Sequence, residues 1–280
     1  MLTRTFLHLP GVGACRERAM WDAGTLSWDD ALNRRDLFDQ GPPPALEEGL
    51  ALSRQKLAEQ DARWFASRLG PHAWRLAADF DDGRIAYLDI ETDGSPADCD
   101  SPDGHGPGGL TVASVWDGLD ARVFVRGRNL DQLPACLARY PALCTFNGKI
   151  FDLPYLEHRF GRGFYRGAHL DLRPITRAVG LRGGLKKIEQ QLCIGRPREI
   201  RHYSGWDAVK LWSCYKRGRR DALGPLARYN LADAVNLQTV LRAAYNRAVS
   251  AQDLPFRRFE QLAEEGVNQA VESAVREAMG

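Results

Sequence analysis

One stretch, Ile85-Ala86-Tyr87-Leu88-Asp89-Ile90-Glu91-Thr92, constrains this chain more than any other. It is a short apolar run of β-compatible residues, entered from Asp81-Asp82-Gly83 and left through Thr92-Asp93-Gly94, and it predicts a strand. Side chains alternate faces along a strand, so Asp89 and Glu91 project to one side while Leu88 and Ile90 project to the other. Two unpaired like charges at close range repel, and burying either one uncompensated costs several kcal/mol. A hard divalent cation such as Mg²⁺ or Mn²⁺, which prefers oxygen ligands, removes the problem. The plainer solution is a strand end whose acids stay in solvent.

The chain has 280 residues, room for one large domain or for one domain with a smaller accessory piece. With 44% hydrophobic and 26% charged residues its composition is that of an ordinary globular protein. No apolar run approaches the roughly 18 residues of a membrane span. Met1 to Pro10 hold neither a signal-peptide core nor a small-residue cleavage site. Cys15, Cys99, Cys136, Cys144, Cys193 and Cys214 form no CxxC pair, and several sit in apolar segments. They read as reduced core thiols rather than disulfides or a zinc site, which predicts a cytoplasmic protein without a membrane segment.

The formal net charge of +2 conceals a division. Residues 1–158 carry 16 Lys/Arg against 24 Asp/Glu, residues 159–228 carry 17 against 5, and residues 229–280 carry 5 against 7. The middle excess of 12 positive charges is the electrostatic footprint of a polyanion binder, the alternative being a solvated face of an Arg-rich protein.

Along the chain, Leu9-Pro10-Gly11-Val12-Gly13 opens a helix over 14–22 that Gly24 ends. Ser27 caps a short second helix containing Trp28, with Trp21 and Trp28 as packing anchors. The Gly-Val-Gly tripeptide resembles helix-hairpin-helix loops that offer amides to a phosphate, though a plain helical turn is the simpler reading. Gly41-Pro42-Pro43-Pro44 breaks the chain, and apolar spacing through Leu50, Leu57, Trp64, Phe65 and Leu69 predicts one helix over 45–69. Residues 93–109, including His105, read as a surface loop. Two strands, 112–116 and 121–125, then form a hairpin across Asp117-Gly118. A helix over 130–139, a buried strand over 142–146, a helix from 153 and a strand over 169–172 follow. Beyond them come helices at 174–180, 184–193, 205–217, 223–248 and 256–278. The expected class is α/β: a mixed five-stranded sheet with helices on both faces over 81–250, a helical extension over 1–80 and a terminal helix over 251–280.

Two further acidic loci stand out. Asn147-Gly148-Lys149-Ile150-Phe151-Asp152-Leu153-Pro154 lies at the C-terminal end of a buried strand, where ligand sites of α/β sheets gather. Asp152 can equally be a helix N-cap ahead of Pro154, and Asn147 a turn former. In Tyr229-Asn230-Leu231-Ala232-Asp233 the i,i+4 spacing puts Tyr229 and Asp233 on one helix face, beside the packing residues Leu226, Leu237 and Val240. A surface aspartate is the alternative there.

Asp-Ile-Glu-Thr (89–92), Asn-x-x-x-Phe-Asp-x-Pro-Tyr-Leu (147–156) and Tyr-x-x-x-Asp (229–233) resemble, in order, the three motifs of the DEDD exonuclease superfamily. The tyrosine of the third motif resembles the tyrosine subclass. Pro10-Gly11-Val12-Gly13, Trp21 to Trp28, Gly184 to Glu189 and Ala208 to Trp212 add a likeness to the bacterial YprB-like predicted exonucleases, so the resemblance covers most of residues 8–240. Two departures are the long glycine-rich 93–110 loop and a single C-terminal helix where longer members carry a repeat region.

The resemblance implies an RNase H-like fold and a metal-dependent 3′→5′ exonuclease acting on single-stranded DNA or RNA. It implies that Asp89, Glu91, Asp152 and Asp233 hold two Mg²⁺ or Mn²⁺ ions while Tyr229 positions the attacking water. Asn147, Lys186, Lys187, Arg196, Arg198, Arg201, Arg217, Arg219 and Arg220 are the expected nucleic-acid contacts. Tyr155, Tyr203 and Trp206 are candidates for base stacking, Phe151 is expected in the core, and Asp171, Asp207 and Asp221 have structural or capping roles. The alternatives are an endonuclease of the same fold and a non-catalytic nucleic-acid-binding scaffold that partners a helicase.

Overall fold

The computed structural model describes residues 2–33, 44–97, 109–260 and 264–279. Cys99, His105 and the Gly41-Pro42-Pro43 break lie outside the described residues. The chain opens with helices α1 (Ala14–Asp22), α2 (Trp28–Asn33), α3 (Pro44–Ala58), α4 (Ala62–Leu69) and α5 (Ala77–Phe80). The sheet and its interleaved helices follow as β1 (Ile85–Thr92), β2 (Leu110–Trp116), β3 (Ala121–Val125), α6 (Leu133–Leu137), β4 (Ala142–Thr145), α7 (Asp152–Phe160) and β5 (Ala168–Asp171). Helices α8 (Leu172–Ala178), α9 (Leu185–Gln191), α10 (Gly205–Lys216), α11 (Leu223–Ala251) and α12 (Glu264–Met279) complete the chain. No helix among the described residues is long and apolar enough to cross a membrane.

The five strands are ordered β3-β2-β1-β4-β5, antiparallel through β1, β2 and β3 and parallel from β1 to β4 to β5. This is the expected mixed sheet, and strand alternation gives it two buried faces. Ala86, Leu88 and Ile90 pack with Phe124, Leu133, Leu137 and Leu156 toward α6 and α7. Ile85 and Tyr87 pack on the other side with Leu231, Leu237 and Leu241 of α11. Asp89 and Glu91 therefore point toward α11.

The parallel pairing of β1 with β4 runs from Ile85–Ala142 to Tyr87–Cys144, so Asp89 and Glu91 lie beyond it on the side where β4 turns away. That turn is tightly specified. Asn147 adopts φ +65°, and a Cβ on Gly148 would stand 2.0 Å from Thr145 Oγ1, a contact no side chain can make. Asp171, at the end of β5, accepts from the backbone N–H groups of Asn147 (2.8 Å), Lys149 (3.2 Å) and Arg173 (3.0 Å). The ends of β4 and β5 are thereby locked together, and α7 starts beside the acidic end of β1.

Helix α11 is pinned to the opposite end of the sheet. Buried Gln238 donates to Asp81 Oδ1 (2.7 Å) and accepts from Trp116 Nε1 (2.8 Å), while Arg242 pairs with Asp81. Five residues earlier on the helix, about 7.5 Å along its axis, Asp233 reaches the level of Asp89 and Glu91.

Three expectations need correction. The single helix over 45–69 is two helices, because Gln60 takes φ +54° and Asp61 caps α4 by accepting from Trp64 N at 2.9 Å. The terminal helix begins at Glu264 rather than 256. Ahead of it, Asn246 holds Phe259 by a matched pair, Asn246 Nδ2 to the Phe259 carbonyl (2.9 Å) and Phe259 N–H to Asn246 Oδ1 (2.8 Å). Cys136 and Cys144 are buried as expected, but Cys15 and Cys193 are exposed; all five described cysteines are free.

Candidate metal centre

Carboxylate oxygens of Asp89, Glu91 and Asp233 lie within 4.8 Å of one another. β1 supplies the first two through its alternation, and α11 supplies the third. Asp152 stands outside that trio, buried at the first position of α7. It does not cap the helix: Phe151 holds the N-cap position, without a side-chain bond. The three sequence loci thus converge at one end of the sheet.

Burial and mutual repulsion set the protonation of the cluster. Desolvation first, then the charges of Asp233, Glu91 and Asp152, push Asp89 well above the usual carboxylate range. Glu91 is raised in the same way by burial and by Asp233 and Asp152, with Arg196 and Lys186 opposing. Burial pushes Asp152 up to about 7, and Asp171 adds to it. Asp233 rises to about 6, because burial outweighs the opposing Arg196 guanidinium.

The groups around the cluster hold it in place. Asn230, fully buried one helical position after Tyr229, donates Nδ2–H to Asp89 Oδ2 at 2.7 Å. Arg196 pairs with Asp233 and forks onto Glu189, Nε to Oε2 at 2.6 Å and an Nη2 bond to Oε1 at 2.7 Å. Asn236 also donates to Glu189 Oε1, at 2.9 Å. Glu189 offsets the charge of Arg196, so four carboxylates keep a balance close to that of two divalent cations. All four donors are hard oxygens, which suits Mg²⁺ or Mn²⁺.

Arg196, expected to contact nucleic acid, is therefore a buried strut, its side chain only 7% exposed. Tyr229 is buried beside Tyr203 (6.2 Å between ring centroids), with Lys186 Nζ 5.5 Å from its ring. Burial, then the charges of Asp233, Glu91 and Asp89, raise its phenol, so the hydroxyl stays protonated. Among the other expected nucleic-acid contacts, Lys187, Arg198, Arg201, Arg217 and Arg220 are exposed, and Arg219 pairs with Asp221 at 2.9 Å on the surface. Asn147 accepts Arg173 Nη1 at 2.6 Å. Phe151 is not in the core but 41% exposed, tilted on Tyr155 at 5.1 Å, and Trp206 is 74% exposed. Asp171 and Asp207 cap as expected, the latter in a capping box with Ser204.

Sequence reasoning missed Asn230 and the Glu189–Arg196 strut as parts of the site. A buried amide one residue from a site tyrosine is the one local signal for the first. The strut needs the tertiary approach of α11 to the segment after α9.

The family model RNase_H_2, described as RNase_H superfamily, matches residues 86–245, more than half the chain. The match takes in all three acidic loci. No curated protein and no solved structure matches the chain.

Proposed function

This chain belongs to the RNase H superfamily, and from that premise we propose that it is a metal-dependent 3′→5′ exonuclease of single-stranded DNA or RNA. On this reading it falls in the tyrosine subclass of the DEDD enzymes, near the YprB-like type. The observation that carries the proposal is the meeting of half-buried Asp89 with buried Glu91 and Asp233 within 4.8 Å, with buried Asp152 at their side.

Asp89, Glu91, Asp152 and Asp233 would hold two divalent cations, Mg²⁺ or Mn²⁺, which when bound lower the pKa of the attacking water and stabilise charge on both the entering and the leaving oxygen. The chain's own groups supply the geometry. Asn230 fixes the Asp89 carboxylate through one oxygen and leaves the other for coordination. Arg196 fixes Asp233 in the same manner, and Glu189 keeps that guanidinium from drifting into the cluster. Such supporting partners typically matter about 10- to 100-fold in metal affinity or activity. Tyr229 remains a phenol and orients the water by hydrogen bonding; a proton acceptor it is not. In the reaction a new P–O bond forms from water, the P–O3′ bond breaks, and the departing 3′ oxygen takes a proton.

The test is cleavage of a 5′-labelled single-stranded oligonucleotide, as DNA and as RNA, with Mn²⁺ or with EDTA, beside an Asp152→Ala control. A stepwise ladder that needs both metal and Asp152 is expected. Internal fragments would make the enzyme an endonuclease. Binding without cleavage under any metal would leave the scaffold reading, with a helicase as the partner to seek.

A further inference from the structure

A groove of about 650 Å³ opens between the turn after β4 and the α8–α9 segment. Its walls carry Arg173, Arg177 and Arg182, together with Asn147, Phe151 and Leu185, and among the described residues no carboxylate lines it. We propose that this groove is a binding site for a short run of single-stranded nucleic acid, its backbone held by Arg173, Arg177 and Arg182 and a base stacked on Phe151. The inference rests on the nuclease reading and gives the substrate a place beside the acids.

Three observations on the arginines support it. Arg173 and Arg177 are four residues apart on α8, hence on one face, and both are exposed. Leu181, buried after the turn at Gly180, brings Arg182 to the same opening. Among the described residues no carboxylate pairs with any of the three, whereas Arg159, Arg196 and Arg219 of the same basic segment are paired with Asp131, Asp233 and Asp221. Three cations left without counterions in a concave site are what a polyphosphate backbone neutralises.

Phe151 supplies the second element, because a large ring 41% exposed at the groove wall has given up the burial its sequence predicted. Aromatic faces of this kind take unpaired bases without reading their identity. Two wall residues are chain neighbours of the candidate centre: Phe151 immediately precedes Asp152, and Leu185 immediately precedes Lys186, whose Nζ lies 5.5 Å from the Tyr229 ring. The volume is in the range that encloses a drug-sized ligand, enough for one or two nucleotides. A base can stack on Phe151 only when it is unpaired, which favours a single strand over a duplex.

The experiment is fluorescence anisotropy in EDTA, so that the probe stays intact, with labelled ten-nucleotide single strands of DNA and RNA and a DNA duplex of the same length. Wild type should bind the single strands more tightly than the duplex. The double variant Arg177→Ala/Arg182→Ala should bind about 20-fold more weakly near 0.1 M salt, with a salt slope shallower by about 1.4, from roughly 0.7 per lost phosphate contact. Phe151→Ala should lose roughly 5- to 150-fold, the range for one stacked base. Arg177→Lys/Arg182→Lys should retain most of the affinity, which separates charge loss from misfolding. Unchanged affinity and slope in the alanine variant, or a duplex bound as tightly as a single strand, overturn the groove. If those results accompany metal-dependent cleavage by wild type, only the groove falls; if wild type neither binds nor cleaves any probe, the nuclease reading falls with it.

Discussion

Two glutamates, Glu17 and Glu91, are buried to within a few per cent of each other, at 1% and 8% exposed, and their surroundings are opposite. Glu17 Oε1 accepts from Thr5 Oγ1 (2.7 Å), Phe6 N–H (2.7 Å), Leu7 N–H (3.2 Å) and Arg75 Nη1 (2.9 Å), and Arg75 also reaches Oε2 at 2.8 Å. Arg75 is itself enclosed by the rings of Trp21, Trp74 and Phe256. Glu91 has no hydrogen-bond donor among the described residues and faces Asp233 and Asp152 instead. Both carboxylates lose hydration, but only Glu17 is given replacements by its own chain. A buried acid that the fold has satisfied is architecture, here tying the first turn of chain to the helical layer. A buried acid that the fold has left among its own kind is a place for a cation.

Substitution should split the pair. Glu91→Gln is expected to lower cleavage by about three orders of magnitude, equivalent to about 4 kcal/mol of lost transition-state stabilisation. In EDTA the same change should raise Tm, since it removes a repelled charge. A lowered Tm in EDTA would mean that Glu91 is held by something other than its fellow acids. Glu17→Ala should behave in reverse, losing about 3–5 kcal/mol of stability in urea unfolding because Arg75 is left buried and unpaired. Its cleavage rate per folded molecule should match wild type; a large fall in that rate would place the N-terminal helices within the site. Next in size is Asn230→Ala, expected to weaken Mn²⁺ binding, read by the metal-induced rise in Tm, about 10- to 100-fold. Unaltered affinity would show that the bond to Asp89 does no positioning.

The contrast was only half legible in the sequence. Asp89 and Glu91 could be read from strand alternation, and Tyr229 with Asp233 from helical spacing, since both periods are local geometry. The β2–β3 hairpin was legible for the same reason, its Asp117-Gly118 turn joining two alternating runs. Glu17 gave no sign: its partners are two backbone amides, a threonine and an arginine 58 residues away. Arg196 read as one more cation of a basic segment, and only the packing of α11 shows it neutralised by Glu189 and Asp233. The split between α3 and α4 was hidden because the apolar pattern runs on in phase from Leu57 to Trp64, seven residues later, while the break is made by one backbone angle at Gln60. Phe151 failed in another way, as an apolar residue kept at the surface, where composition argues for the interior.

The smallest effect sharpens the comparison through protons. In EDTA, Asp233 and Asp152 titrate near 6 and 7 in the folded chain, with Asp89 and Glu91 also raised, against about 4 when unfolded. Between those values the folded state binds more protons than the unfolded one, so stability falls as pH rises from about 4 to about 7. His8 of the N-terminal layer, buried among Trp28, Trp64 and Phe65, is lowered by that burial to about 4. There the unfolded state binds the extra proton, so stability is complete above about 6.5 and falls as pH drops toward 4. The slopes oppose in the same window, and His169, also lowered by burial to about 4, and His72, lowered by burial, act with His8. The four acids still outnumber the three imidazoles, so Tm in EDTA should decline from pH 5 to pH 8. Saturating Mn²⁺ should remove that decline, and His8→Gln, which deletes one of the opposing protons, should steepen it slightly. A decline equal with Mn²⁺ and with EDTA would sever the cluster from metal, while a His8→Gln curve parallel to wild type would show that the imidazole takes up its proton without unfolding the helices around it.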